Sequence, residues 1–494
     1  MIPFHQLKFG WASAEQEGAS DPNLLLDGFL DLGGVAEEAT RGHKFLFLGY
    51  KGSGKSAISE HIRLKAASDP QLFVTTTFLA DFPYSDFSRL VRGDDPETKY
   101  PTAWSWLLLV KLFDSFNRDQ EAASNSNSEF RTAIETLAKL GLLPSPTFKE
   151  LVLTSSTRTF KVKLPVVFES EFRRDKHEQN LKFPFFVERL KTVASTFQSA
   201  SRHLLIIDGL DDVLTSTKVQ YDSLAGLVLE VSRLNTMFAK NGTPAKVLLL
   251  CRTDLYEKLP GANKNKIRQD SAVSLDWYHD PRQPGESNLV RLVNLKARVT
   301  DRSLQDVFKA HFLAKITFPK SNTKYDLTWY LLDFTRHTPR DFIQVLTHIQ
   351  PFASRVPHPT LIRRPLTQDQ VLSGMRSYSI DYFLPEIKDE LVGYFSNDDV
   401  TSTIDLIGSM RNREFTFVEL AKKATKQKRF GALDLSAIIT ALFECSAIGN
   451  IHSRRGKKGD TTYYTFKYRN RNSTLNLEDR LILHRGMWKA LNLI

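Results

Sequence analysis

Cysteine is nearly missing from this sequence. Cys251 and Cys445 are the only two, too few for a disulfide framework or an all-cysteine zinc site, and such scarcity fits a reducing cytoplasm. No window offers the roughly 18 uncharged apolar residues that a membrane-spanning helix needs. The opening MIPFHQLKFGWASAEQE lacks the basic stretch and then the apolar stretch of a secretory leader. A soluble, cytoplasmic chain without a membrane partner is the expectation. Several catalytic signatures are missing as well: HExxH, paired CxxC, the GxSxG elbow and any His-rich tract. Hydrolytic chemistry other than phosphoanhydride cleavage therefore has no visible machinery. No internal repeat of about 20 to 50 residues appears, which removes the solenoid and propeller architectures.

What is present is length, apolar material and positive charge. A chain of 494 residues, 41% of them hydrophobic, is too long for one ordinary core and predicts two to four domains. The net charge of +11 points toward polyanions. Its distribution is uneven: residues 401 to 494 hold seventeen Lys/Arg against eight Asp/Glu, a surplus of nine. The basic character belongs to the C-terminal end.

The most specific local pattern is GYKGSGKS, Gly49 to Ser56, directly after the apolar KFLFL and before AISEHIRLKAA, whose apolar positions have helical spacing. Gly49, Gly52 and Gly54 allow backbone N–H groups, including those of Ser53 and Ala57, to turn toward phosphate oxygens. Lys55 brings a charge to the terminal phosphates, and Ser56 a hydroxyl ligand for Mg²⁺. This is the full P-loop signature, with ATP as the expected ligand. A Mg²⁺ held by Ser56 needs an acidic partner, and Asp208, ending the apolar HLLIID, is the expected one. Asp211 and Asp212 follow, and either one is a candidate to polarise the attacking water. A second run, AKVLLLCRTDL, ends in Arg252 and Thr253, where a polar side chain can sense the γ-phosphate. Runs that are apolar throughout suit strands covered on both faces of a parallel sheet. Arg268, in GANKNKIRQD, is a candidate to act across a subunit contact, and Pro339 and Arg340, in TRHTPRD, to close on the nucleotide.

Less specific segments complete the layout. LFVTTTFLADF (72 to 82) predicts a strand, WSWLLLVKLFDSF (104 to 116) a buried helix, residues 120 to 128 a loop, 157 to 172 a small inserted hairpin, and Ser223 to Phe238 a helix. Toward the C-terminus, Thr416 and Glu419 have capping-box spacing. LSAIITALFECSAIGN follows, with apolar Leu435, Ile438, Ile439 and Leu442, then two strands around a basic turn. Three helices and a basic hairpin predict a winged helix. Tyr464, Phe466 and Tyr468 are expected on one strand face, as core packing. Arg454, Arg455, Lys457 and Lys458 on the turn, with Lys422, Lys423, Lys426, Lys428 and Arg429, can neutralise nucleic-acid phosphates. The helix from Leu435 carries no Lys or Arg, so base reading is not expected of it.

The sequence is thus expected to be an α/β P-loop NTPase with a parallel sheet, followed by a helical lid and a winged helix: 1–40 an N-terminal segment, 41–285 the NTPase core, 286–397 the lid and connector, 398–494 the winged helix. In motif order it resembles the STAND and NACHT signal-transduction ATPases and their AAA+ relatives of the origin-recognition type. IIDGLDDV is similar to the NACHT form of Walker B, and VLLLCRTDL to the strand ending in a sensor arginine. FGWASAEQE, KGSGKSA and TRHTPRD also resemble segments of poorly characterised bacterial P-loop ATPases, some from mobile or defence gene neighbourhoods. The resemblance implies a slowly hydrolysing ATP switch that controls self-assembly as a homo-oligomer or a partner effector protein, with antiviral defence as one setting. The alternative it implies is a nucleotide-regulated DNA-binding protein. Walker B ends here in Asp212 rather than Glu, and TPR stands where STAND proteins have Gly-x-Pro.

Overall fold

The computed structural model describes residues 2–79, 82–91, 95–157, 160, 163–164, 183–210, 218–261, 263–279, 284–318, 323–354, 365–392, 394–431, 433–456 and 459–493. They fall into two compact units: Asp31–Lys51 with Lys55–Leu275, and Met1–Leu30 with Gly52–Gly54 and Asp276–Ile494. Among the described residues no helix is long and apolar enough to cross a membrane.

The first unit is α/β. Strands β1 (Leu46–Gly49), β2 (Leu72–Phe78), β3 (Arg202–Asp208), β4 (Ala245–Arg252) and β5 (Ala272–Ser274) form one sheet in the order β2-β3-β4-β1-β5. Every neighbouring pair is parallel. The apolar runs of β3 and β4 are buried along nearly their whole length, whereas β2 and β5, at the edges, are only half-buried. That is the burial expected of central strands covered on both faces. Because the strands are parallel, their carboxyl ends share one edge. Gly49 lies in register with Arg252, and Phe78 with Asp208. The second strand is shorter than its apolar sequence predicts: the Leu79 N–H still donates to the Asp208 carbonyl, but Phe82 N–H then turns back to Leu79 O.

Helix α1 (Lys55–Ala66) follows the P-loop, and α2 (Pro96–Arg118) and α3 (Lys218–Asn241) pack on each other. Both helices run longer than the apolar spacing suggested. Trp104 Nε1 donates to Ser223 O at 2.8 Å and Ser105 Oγ to Glu230 Oε1 at 2.5 Å, so these two buried polar groups of α2 find their partners on α3. Their close approach depends on Gly226, where an added Cβ would stand 2.7 Å from Tyr100 Cβ and 3.3 Å from Pro101 Cδ. Gly226→Val should therefore cost about 2 kcal/mol by overpacking, read as a lower urea midpoint at unchanged m-value. An unchanged midpoint would show that the helices can part without loss.

Residues 120 to 128 are not the plain loop expected. A 3-10 turn spans Ala123–Ser126, and Asn127 caps the helix Ser128–Lys139 by accepting from Glu129 N and Phe130 N. Polar turn composition was in part capping chemistry. The inserted hairpin expected at 157 to 172 falls almost wholly outside the described residues.

The second unit joins the N-terminal segment to the C-terminal half. Phe4, Leu7 and Phe9 are buried in one cluster with Leu289, Phe312 and Phe342. A buried Lys296–Glu17 ion pair and an Ile2 N–H to Asp301 Oδ2 bond of 2.8 Å fasten the segment there. Helix α4 (Asn288–Thr300) begins at the Ser287 cap. An antiparallel hairpin of β6 (Lys315–Phe318) and β7 (Thr323–Asp326) follows, which apolar periodicity did not announce. A short helix, Leu327–Leu332, and then helix α5 (Pro339–Ala353) follow.

The C-terminal portion runs α6 (Asn397–Met410), β8 (Glu414–Phe415), α7 (Phe417–Thr425), α8 (Leu435–Glu444), β9 (Ile448–Gly456), β10 (Gly459–Thr465) and β11 (Arg480–Leu483). The Thr416–Glu419 capping box is present at the start of α7. The strands form an antiparallel sheet in the order β10-β9-β11-β8. Strand β10 stops at Thr465, so Tyr464, Phe466 and Tyr468 do not share a strand face. Phe466 and Tyr468 turn into a small core with Ile482, whereas Tyr463 and Tyr464 are 53% and 42% exposed.

Candidate functional site

The loop GYKGSGKS links the carboxyl end of β1 to the start of α1. Gly52 and Gly54 have φ of +80° and +94°, a left-handed backbone that residues with a Cβ rarely adopt. The signature glycines are therefore required by the turn itself. Lys55 is only 4% exposed, and its Nζ donates to Gly49 O and Tyr50 O, both at 3.3 Å, so the ammonium folds back across the loop. Ser53 is buried, and Ser56 and Ala57 are half-buried at the head of α1.

Asp208 ends β3 at the same edge and is 3% exposed. Its Oδ1 accepts from Gly209 N at 2.7 Å, and Gly209 has a φ of +75°. β4 lies between β1 and β3, so the topology sets Arg252 between the loop and Asp208. Asp211 and Asp212 lie outside the described residues.

Arg252 is buried in a bidentate pair with Asp254: Nε to Oδ1 at 3.0 Å and Nη2 to Oδ2 at 2.8 Å. Burial works to raise the Asp254 carboxyl, but the Arg252 charge and hydrogen bonds outweigh it, with Lys258 and Lys55 adding, and hold it below its ordinary value. Asp254 thus fixes the guanidinium in place. Removing one partner of a buried pair leaves an uncompensated charge, so Asp254→Ala should lose about 3 kcal/mol. A denaturant midpoint equal to that of the parent would mean that Arg252 finds another partner.

TRHTPRD divides into two functions. Arg336 and Asp341 form a buried bidentate pair at 3.0 and 3.1 Å, to which Tyr382 OH adds a bond to Asp341 at 2.9 Å, and Glu390 takes the remaining side of Arg336. These residues brace the start of α5. Thr338 caps that helix by accepting from Asp341 N, and Pro339 occupies its first turn. Within the same unit, Arg340 N–H donates to Gly52 O at 3.3 Å and Trp277 Nε1 to Ser53 O at 2.9 Å. A Cβ at Gly52 would meet Thr338 Oγ1 and Arg340 Cβ at 3.1 Å. Arg268 lies on the helix Lys264–Ser271 and pairs with Glu257 of its own chain at 3.4 Å.

Of the basic C-terminal residues, Lys422 and Lys426 are exposed, Lys423 is half-buried, and Arg429 pairs with Asp405 at 3.5 Å, both exposed. Arg454 and Arg455 lie on β9, whose register pairs them with Thr461 and Asp460. Lys457 and Lys458 lie outside the described residues. The exposed positions of α8 include Ser436 and Thr440, which carry no charge.

Sequence reasoning did not single out Asp254 or Glu390. The Arg-x-Asp spacing at a strand end could have suggested the first. Glu390 is 54 residues from Arg336, and nothing local marks it.

No family model matches the chain, and no curated protein matches it. Among solved structures it is similar to the ORC1 protein of Aeropyrum pernix in complex with DNA, at 13% identity over 96% of each chain and with a TM-score of 0.39. A likeness that weak assigns no activity.

Proposed function

We propose that this chain is an ATP-binding switch of the P-loop class, similar to AAA+ and STAND ATPases, that hydrolyses ATP slowly and couples nucleotide state to self-assembly or to a partner protein. One observation carries the reading: a loop with two left-handed glycines and an inward-folded lysine sits at the carboxyl edge of a parallel sheet, with Asp208 and Arg252 ending neighbouring strands at that edge. Such an edge is where open α/β sheets take their ligands. The N–H groups around Gly49, Gly52, Ser53 and Gly54 would cradle phosphate oxygens, and Lys55 would answer their charge. Ser56 and Asp208 are the residues to hold Mg²⁺, which when bound neutralises charge on the phosphates. Asp211 or Asp212 would orient water, and Arg252, Pro339 and Arg340 would register the γ-phosphate. The test is the size of the purified protein with ADP, ATP and a non-hydrolysable analogue. A change with ATP and its analogue but not with ADP is expected; one size in all three would remove the switch.

A second reading, nucleotide-regulated binding of nucleic acid through a winged helix at 398–494, is favoured by the exposed Tyr463 and Tyr464 beside the basic hairpin. Aromatic platforms and cations together suit a phosphodiester strand. With no cation on α8, contact would be to the backbone. Replacing Arg454, Arg455, Lys457 and Lys458 by alanine should flatten the salt dependence of binding.

A further inference from the structure

The first unit has concave surface away from the carboxyl edge. At the opposite edge, where β1, β3 and β4 begin, lies a cavity of about 720 Å³. A second cavity of about 420 Å³, which also carries Asp31, Glu37 and Asp69, shares Arg41 and Arg202 with it. From Arg202 to Asp208 the strand runs six residues, roughly 20 Å at the rise of a β-strand, so a ligand here would not touch the P-loop.

The larger cavity is lined by Arg41, Arg202, Lys240 and Lys246, together with His43, and by no Asp or Glu. Among the described residues none of these four cations has a carboxylate partner within ion-pair distance, although ion pairs are frequent elsewhere in the chain. Arg41, Arg202 and Lys240 are exposed. Lys246 forms part of the floor, its Nζ donating to Glu38 O at 2.7 Å and Gly42 O at 2.8 Å. Burial pushes its ammonium down to about 8, with the Glu38 charge opposing. The last turn of α3 contains Lys240, which answers the partial negative charge of that helix end. Arg41, Arg202 and Lys246 come in addition. A cleft lined by one sign of charge concentrates its field and gathers counter-ions. Thr236 adds an uncharged hydroxyl on one wall, its proton donated to Ser232 O, whereas the Asn235 amide is bonded at both ends to the Val247 backbone.

We infer that this cleft is an anion site for an oligophosphate, gripped by the guanidinium groups of Arg41 and Arg202 over the floor made by Lys246. Guanidinium forks match phosphate geometry two bonds at a time, which surface lysines alone do not provide. The inference does not depend on the P-loop reading, because it uses other residues at the other edge.

The test uses the full chain carrying Lys55→Ala, so that the P-loop contributes nothing, titrated calorimetrically with tripolyphosphate and, separately, with ATP. One saturable equivalent of tripolyphosphate is expected, weakened at least tenfold by adding Arg41→Ala and Arg202→Ala. Both side chains are exposed, so the melting temperature should stay with that of the parent, and the same pair placed in the otherwise native chain should leave P-loop ATP binding intact. ATP binding in parallel would identify a nucleotide as the source of the phosphates, and tripolyphosphate binding without ATP an inorganic one. Absence of saturable binding, or binding indifferent to the two arginines, overturns the inference.

Discussion

Lys55→Ala should bind ATP at least a hundredfold more weakly than the parent chain and show no phosphate release above background. Of the loop's two lysines, Lys51 and Lys55, it is Lys55 that is almost fully buried at the head of α1, with its ammonium 3.3 Å from two loop carbonyls. A hydrogen bond to a charged group contributes about 1.5–3 kcal/mol, and two such bonds to phosphate oxygens, lost together, correspond to two or more orders of magnitude in affinity. The fold should survive. The ammonium's described bonds are to the backbone carbonyls Gly49 O and Tyr50 O, and alanine is a good residue in a first helical turn. Equilibrium binding of a fluorescent ATP analogue, with thermal melting as the control, separates the outcomes. Normal affinity with an unchanged melting curve would sink the assignment of Gly49 to Ser56 as the nucleotide loop. Weak binding with an early melt would instead reveal a structural lysine.

What could be read in advance from the sequence was local. Gly52 and Gly54 announce themselves because a left-handed turn at those positions tolerates almost nothing else. The apolar runs ending in Asp208 and Arg252 imply covered strands because burial on both faces leaves no alternation. The capping pair Thr416 and Glu419 is three residues apart and needs only its own turn. What could not be read was distant pairing. Nothing in LILHR says that Arg480–Leu483 will join β8 to β9, because a four-residue apolar stretch fits many environments. The packing of Phe4, Leu7 and Phe9 against a cluster that begins nearly 280 residues later has no local signal either. Tyr464, expected in the core, is exposed, and the shared strand face fails for a related reason: alternation predicts faces only while a strand lasts, and β10 ends at Thr465, although Phe466 and Tyr468 do pack in a core as expected. Arg252 belongs to both groups. Its position at a strand end was legible, while its buried pairing with Asp254 depends on side-chain geometry.

The remaining large effect is acid destabilisation between pH 7 and 5, well above the range in which most carboxylates titrate. Among the buried histidines of the described residues, His203, His337 and His484 are pushed furthest toward the neutral form. His203 is held between Ser115 Oγ, 2.9 Å from Nδ1, and Asp119 Oδ2, 3.2 Å from Nε2, and burial pushes it down to about 4 despite the Asp119 hydrogen bond and charge. His337 and His484 are pushed down to about 3, first by burial and then by the charges of Arg469 and Arg336 respectively. His484 also caps the helix Arg485–Trp488, its Nδ1 accepting from Gly486 N at 3.1 Å, and a protonated Nδ1 cannot accept. Each pKa lies below the unfolded value near 6.5, so between the two values the unfolded chain binds more protons than the folded one. Stability is therefore full above pH 6.5 and falls as pH falls through that window. At pH 5 each group should have cost about 2 kcal/mol, at 1.36 kcal/mol per pH unit. That is about 2 kcal/mol in the first unit and about 4 in the second. Asp341, held below the ordinary carboxylate range by Arg336 against the opposing effect of burial, adds its loss only as the pH falls through roughly 4 and below. His484→Asn keeps a capping oxygen for Gly486 and removes one titration, so its loss between pH 7 and 5 should be about 2 kcal/mol smaller than the parent's. Urea unfolding at both pH values decides the matter: a parent midpoint that does not move, or a variant that loses as much as the parent, would show that these imidazoles reach solvent before the fold yields.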